Sequence, residues 1–463
     1  MRRTHLAVFI TVAMALYAPS AISQTAADIA KLRPAANRII AAALVDSMPY
    51  DRLGKLVDGF GHRLSGSASL ERAIDWILGE MKRDGFANVR GEPVMVPHWV
   101  RGAESATLML PRDASLHMLG LGGSVGTPAT GITADVLVVH SFDELTRRKS
   151  EAVGKIVLFN VPFPPDSTPF AGYDAAVQYR GRGATEAAKA GAVASLVRSV
   201  ATFSMQTTHT GGMRYDSTTK KIPAAAVSVE HAEMLDRMQR RGERVRVKLV
   251  MNARTLPDAR SRNVVAELRG RDLADEIVVV GGHIDSWDVG QGAMDDAGGS
   301  VAAWEAVKLL KTLGLTPRRT VRVVLWTNEE NGGRGGMAYR DAHKSELPKH
   351  FAAIESDNGI FAPTGFRFQG TVDGARRAAL IAELTKLSGA ATIAPGEGEA
   401  DVGPLLKEGV PGFALDVDQS VYFWYHHTQA DMLNVVNEMD LRRSIGALAI
   451  LIYALAEMPG TLR

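Results

Sequence analysis

The segment that most constrains the fold is Ile277-Val278-Val279-Val280, short and β-branched throughout, with Gly281-Gly282-His283 directly behind it. A strand apolar on both faces belongs inside a parallel sheet covered by helices, where binding sites collect at the carboxyl ends of the strands. His283 and the carboxylates of the following loop, Asp285, Asp288, Asp295 and Asp296, therefore start near such an end. Further strands are predicted at 264–268, 321–326, 352–354 and 413–415, with helices at about 300–313 and 439–456 between and after them. That alternation predicts an α/β fold with a mixed central sheet flanked by helices.

The chain has 463 residues, 46% of them hydrophobic and 22% charged, enough for about two or three domains. Its 53 basic and 51 acidic residues nearly cancel, and no long block of one sign occurs, so nothing in the charge points to nucleic acid. Arg2 and Arg3 precede an apolar run over residues 6–16, and small residues follow at Ala21 and Ser23. This pattern predicts a signal peptide over 1–23 and a periplasmic or secreted product. The run is shorter than the roughly 18 to 20 residues of a membrane anchor, so no stable membrane insertion is expected after cleavage. No cysteine is present, so stability must come from packing, to which a bound metal could add.

A helix is predicted over 27–45, and a second from Leu70 to Met81 with Ser69 as N-cap and its end at Asp84-Gly85. From about residue 101 to 255 the texture changes to short β-rich runs broken by Gly and Pro, with one helix at 185–190. This stretch reads as a mostly β domain inserted between 24–100 and 256–463.

His283, Asp295, Glu330, Asp357 and His427 each stand at or just past a predicted strand end. Two histidines and three carboxylates suit a divalent metal, zinc first among them, and a shared carboxylate would make a two-metal site. Glu329 sits beside Glu330 after the strand 321–326. Gly122-Gly123-Ser124-Val125-Gly126 matches a serine-hydrolase pattern, but Thr127-Pro128 stands where the required helix should begin, so it reads as a turn.

These residues together resemble the co-catalytic di-zinc exopeptidases, a family of zinc aminopeptidases and glutamate carboxypeptidases, over nearly the whole chain after the leader. The resemblance implies the zinc-exopeptidase (phosphorylase/hydrolase-like) fold and identifies the insert as a protease-associated domain, to whose strand Gly154-Lys155-Ile156-Val157 is similar. It implies two Zn2+ per chain: His283 and Asp357 on one, Glu330 and His427 on the other, and Asp295 between them. A water bridging the two ions, with Glu329 as general base, would then hydrolyse dipeptides or short peptides. Asp285 is expected to accept the other ring N–H of His283.

Where several relatives carry a tyrosine before the last metal-binding histidine, this chain has His426, with Tyr425 one residue earlier. Either could support the oxyanion, or His426 could simply satisfy its neighbours. His209 in the insert could reach over the active-site mouth or be a structural loop histidine. Asp401 could line the pocket or belong to an acidic surface loop. The family also implies a homodimer. The alternatives are an aminopeptidase acting on longer peptides, a single-zinc glutaminyl cyclase, which needs fewer ligands, and a receptor-like relative with a decayed metal site.

Overall fold

The computed structural model describes residues 21–164, 167–398 and 400–463. The apolar run expected as a signal peptide lies outside these residues. No described helix is long and apolar enough to cross a membrane.

Two eight-stranded sheets carry the fold. At the centre of the first, Leu273–His283 runs parallel to Arg319–Trp326 on one side and to His350–Glu355 on the other, and Gly412–Val417 extends the parallel set. Register places His283 opposite Trp326 and Gly281 opposite Glu355, so the loops after three strands leave the sheet at one edge. The helices Gly298–Thr312 and Glu438–Glu457 are buried along most of their length, which is why both read as nearly continuous apolar sequence.

Ala87–Val100 and Arg254–Leu268 form a long antiparallel pair in the first sheet, and at its far end Val100 pairs with Arg254. Every strand of the second sheet comes from between them in sequence. This region departs from the mostly β expectation. Four helices, Phe142–Arg147, Lys149–Ala152, Pro169–Lys189 and Val229–Arg240, accompany its strands, and four strands from Ile132 to Val227 run mutually parallel. The expected helix at 185–190 is only the end of the one from Pro169 to Lys189. Its many alanines and glycines blur the 3.6-residue apolar period, so the sequence signal for it is weak.

The helix expected over 27–45 is two helices, Ala21–Ala30 and Arg33–Ala43, because Pro34 cannot donate its backbone N–H into a continuous helix and starts a new one instead. The helix Ala68–Arg83 ends at Asp84-Gly85, but Ser67 caps it by accepting from the Leu70 N–H. Ser69 lies inside the first turn, where its hydroxyl donates to the His62 carbonyl at 2.6 Å.

His350 opens a central strand and is 1% exposed, with Nε2 at 3.0 Å from the Tyr339 hydroxyl and Nδ1 at 3.0 Å from the Glu346 carbonyl. Burial pushes its pKa down to about 4. An unfolded histidine takes up a proton below about pH 6.5, whereas the folded one waits until about 4, so stability is lost as pH falls between those values. Between about pH 7 and pH 5 this amounts to about 2 kcal/mol. Denaturant titrations of His350→Gln should show that much less acid destabilisation than the native chain; equal pH slopes would remove His350 as the cause.

Candidate metal centre

The five residues expected to hold metal converge at the sheet edge. His283 Nε2 lies 3.3 Å from Asp295 Oδ1 and 3.2 Å from Asp357 Oδ1. His427 Nε2 lies 3.3 Å from Asp295 Oδ2 and 3.0 Å from Glu330 Oε2. The two oxygens of Asp295 therefore face two different histidines, each with its own further carboxylate. Two donors about 2.0–2.1 Å from one tetrahedral ion lie about 3.3–3.4 Å apart, so these spacings suit shared cations as well as ion pairs. Asp295 Oδ2 and His427 Nδ1 are buried without a hydrogen bond, and donor atoms of His283, Asp295 and Glu330 lie within 4.8 Å of one another.

The electrostatics favour the same reading. Burial pushes Asp296 and Glu330 well above the ordinary carboxylate range and raises Asp285 and Asp357, while Glu329 rises to about 8. Neighbouring carboxylates add to the rise at Asp296, Glu330, Asp357 and Glu329. Burial also takes His427 down to about 3, leaving a neutral imidazole able to coordinate. So many carboxyl groups in one buried volume call for cationic charge.

Two residues that sequence reasoning missed hold the loops in place. Arg63, buried and lowered by burial to about 10, donates to four carbonyls: Ile284 at 2.8 Å, Gly61 at 2.8 Å, Gln291 at 2.7 Å and Gly292 at 3.0 Å. Asp431 accepts the backbone N–H groups of Ala293, Met294 and Asp295 at 3.0, 2.8 and 3.1 Å. It thus fixes the turn that aims the Asp295 carboxylate. Asp431 stands four residues after His427, but nothing in that spacing says which backbone it will hold. Asp296 is also structural: it accepts from the N–H of His283 at 2.9 Å and of Gly299 at 3.1 Å, where the helix Gly298–Thr312 begins.

Asp285 does not hold the His283 ring as expected. His283 Nδ1 bonds the backbone carbonyl of Asp285 at 2.9 Å, while the carboxylate is 3.8 Å away. That carboxylate instead accepts from the Glu329 N–H at 3.1 Å and the Ser65 hydroxyl at 3.3 Å. Sitting two residues along the same strand exit, its side chain points toward the neighbouring strand's loop. There Asn328 adopts a left-handed backbone, φ 69°, and turns Glu329 and Glu330 into the cavity.

The cavity measures about 540 Å³ and is lined by Asp295, Glu329, Glu330, Asp357, His426 and His427 together with Tyr173, Arg180 and Tyr422. Tyr425 does not line it and packs against the main core. Its place is taken by Tyr422, one helical turn before His426 on the same face, with ring centroids 5.1 Å apart. That i, i+4 spacing was the available clue. The His426 ring stacks on His427 at 3.5 Å, and its Nε2 is 3.8 Å from Asp295 Oδ2. Asp401 is buried, not on a surface loop. It lies off the cavity lining with its carboxyl raised well above the ordinary range by burial and by the Glu329 charge.

The second sheet's region closes the cavity from above the sheet edge. His209 is buried and absent from the lining, but its neighbour Thr210 donates its N–H to the His427 carbonyl at 3.0 Å. Arg101 ties Thr210 Oγ1, at 3.2 Å, to Asp288 of the metal loop, at 2.9 Å. Gly122 lies so close to Trp287 that a Cβ there would overlap the indole. Ser124 is fully buried and accepts from the Ala224 N–H at 2.8 Å, so the Gly-x-Ser-x-Gly stretch is packing.

Residues 263–451 match the model of peptidase family M28. Carboxypeptidase Q of Mus musculus is 46% identical over 438 residues, covering 93% of this chain and 91% of its own, and that of Homo sapiens is 45% identical over 435 residues. The chain belongs to peptidase family M28. Among solved structures, a peptidase M28 precursor from Shewanella amazonensis is 33% identical and superimposes with a TM-score of 0.91, covering 94% of this chain and 99% of that one. An aminopeptidase from an Aneurinibacillus strain, 19% identical with a TM-score of 0.62, shares the fold.

Because Asp431 touches only backbone, its removal should loosen Asp295 without deleting a ligand. Asp431→Ala should weaken metal affinity by about 10- to 100-fold, read by competition with a chelator. Native affinity in that variant would show that the turn holds itself.

Proposed function

We propose that this M28 member is an exported zinc exopeptidase that hydrolyses dipeptides or short peptides at a two-ion centre. The observation that carries the reading is the division of Asp295, whose Oδ1 faces His283 and whose Oδ2 faces His427, both at 3.3 Å. His283 and Asp357 would hold one ion, Glu330 and His427 the other, and Asp295 both. The likeness to relatives named carboxypeptidase Q supports peptide substrates with cleavage next to a terminus. The region 101–255 then serves as a protease-associated insert that roofs the centre.

Bound zinc would supply a water of lowered pKa and polarise the scissile carbonyl. The chain's own part begins at Glu329, whose carboxylate removes a proton as the water oxygen bonds to the peptide carbon. As the C–N bond breaks, Glu329 returns that proton to the leaving amine. Its backbone N–H is pinned to Asp285 at 3.1 Å, which fixes the base relative to the strand end. Burial keeps Tyr422 protonated and His426 neutral, so this wall offers uncharged donors to the developing oxyanion.

Glu329→Gln keeps the shape and loses the base. It should retain zinc at the native stoichiometry while kcat falls by about 10²- to 10⁴-fold on a dipeptide panel. Full turnover by that variant would remove Glu329 from the mechanism, and loss of zinc would make it a ligand instead.

A further inference from the structure

The two histidines of the centre are held in different ways. His283 ends a central strand and its Nδ1 bonds the Asp285 carbonyl at 2.9 Å, so the first sheet and its own loop fix both backbone and ring. His427 has neither support. It follows the four-residue helix Tyr422–Tyr425 rather than a strand, and its Nδ1 is buried without a hydrogen bond. Its backbone adopts φ 63°, a left-handed conformation that a residue with a side chain keeps only where its surroundings impose it.

The surroundings that impose it belong to the insert. The Thr210 N–H donates to the His427 carbonyl at 3.0 Å. Thr210 is fully buried and is fastened in turn: its hydroxyl donates to the Gly120 carbonyl at 2.8 Å and accepts from Arg101 Nη2 at 3.2 Å. The preceding His209 N–H donates to Ser199 Oγ at 3.1 Å, and the His209 ring lies against the His426 backbone. Gly120 ends one strand of the second sheet and Ser199 directly follows another, so the donor is braced by that sheet. Aromatic side chains of the insert complete the grip. Tyr173 stacks on Phe423 at 4.8 Å and meets His426 edge-on at 5.4 Å, and Phe170 stacks on Tyr422 at 5.4 Å.

We infer that the insert governs one ion of the two: through Thr210 it holds His427 in its ligating position, so the ion at Glu330 and His427 is bound tightly only while the insert is seated. The ion at His283 and Asp357 is held by the first sheet and its loops. This rests on the two-ion reading of the centre. Linkage makes the dependence reciprocal, because an insert that tightens the second ion must itself be tightened by it. The insert is then a device for metal retention as well as a roof, and its displacement would empty half of the centre without altering a ligand.

Zinc binding by competition with a chelator tests this on the native chain and on Thr210→Pro, which removes the donating N–H. Thr210→Val keeps the N–H but loses the hydroxyl that fastens it, and decides the matter if the proline variant does not fold. Thr210→Ser restores that hydroxyl. The native chain should bind two ions. Thr210→Pro should weaken one of them by about 10- to 100-fold and leave the other within about twofold. Thr210→Val should do the same to a smaller degree, and Thr210→Ser should match the native chain. Anomalous maps of the weakened variant should show the faded peak beside Glu330 and His427. Asp431→Ala is the contrast, since loosening the shared Asp295 should weaken both ions. In the native chain, backbone amide exchange over residues 199–213 should slow when the second equivalent of zinc is added. Unchanged affinities in folded Thr210 variants, equal weakening of both ions, or insert exchange indifferent to the second equivalent would overturn the clamp. A native chain that binds a single ion would instead refute the two-ion centre itself, and the clamp with it.

Discussion

The structure depends on crowding carboxyl groups around His283 and His427 at one end of a parallel sheet. Asp285, Asp295, Asp296, Asp401 and Asp431 are all buried there, and Glu329, Glu330 and Asp357 face the same cavity. Such a concentration of like charge is unfavourable unless cations enter it or protons neutralise it. The chain manages it by division of labour. Asp285, Asp296 and Asp431 spend their oxygens on backbone N–H groups, which leaves Asp295, Glu330 and Asp357 turned toward the histidines. Arg63 meets part of the remaining charge while bracing the loop that carries it.

That division explains why the sheet and the insert must be read together. Three parallel strands deliver His283, the Glu329-Glu330 pair and Asp357 to one edge. His427 arrives on a longer path, with a left-handed backbone, φ 63°, and is pinned from the insert by the Thr210 N–H. Leu64, Trp99, Leu119, Ala253, Trp287 and Val289 form a small apolar cluster where the two parts meet. The insert is therefore a structural part of the site, holding one histidine by its carbonyl and placing Tyr173 and Arg180 in the cavity.

Much of this was legible in the sequence because it follows from periodicity and from strand ends. The central strands and the two buried helices announce themselves as apolar runs, and His283 ends one of those strands while Asp357 and Glu330 stand two and four positions beyond theirs. What escaped depends on side-chain direction or on distant partners. Ser67 rather than Ser69 caps its helix, a choice set by a turn that spacing alone does not resolve. Asp285 lies two residues after His283 in sequence but points to the neighbouring loop, so proximity along the chain suggested the wrong acceptor. Tyr422 could have been preferred to Tyr425 from its i, i+4 relation to His426. Arg180 sits in an alanine- and glycine-rich helix more than a hundred residues from the centre it faces, and no local pattern marks it.

In the proposed centre Asp295 is shared between two ions, each completed by one histidine and one further carboxylate. Anomalous diffraction at the zinc absorption edge, from crystals of the zinc-loaded chain, tests it most directly. Two peaks are expected on either side of the Asp295 carboxylate, one beside His283 and Asp357 and the other beside Glu330 and His427. A single peak, or two peaks with Asp295 bound to only one, would contradict it.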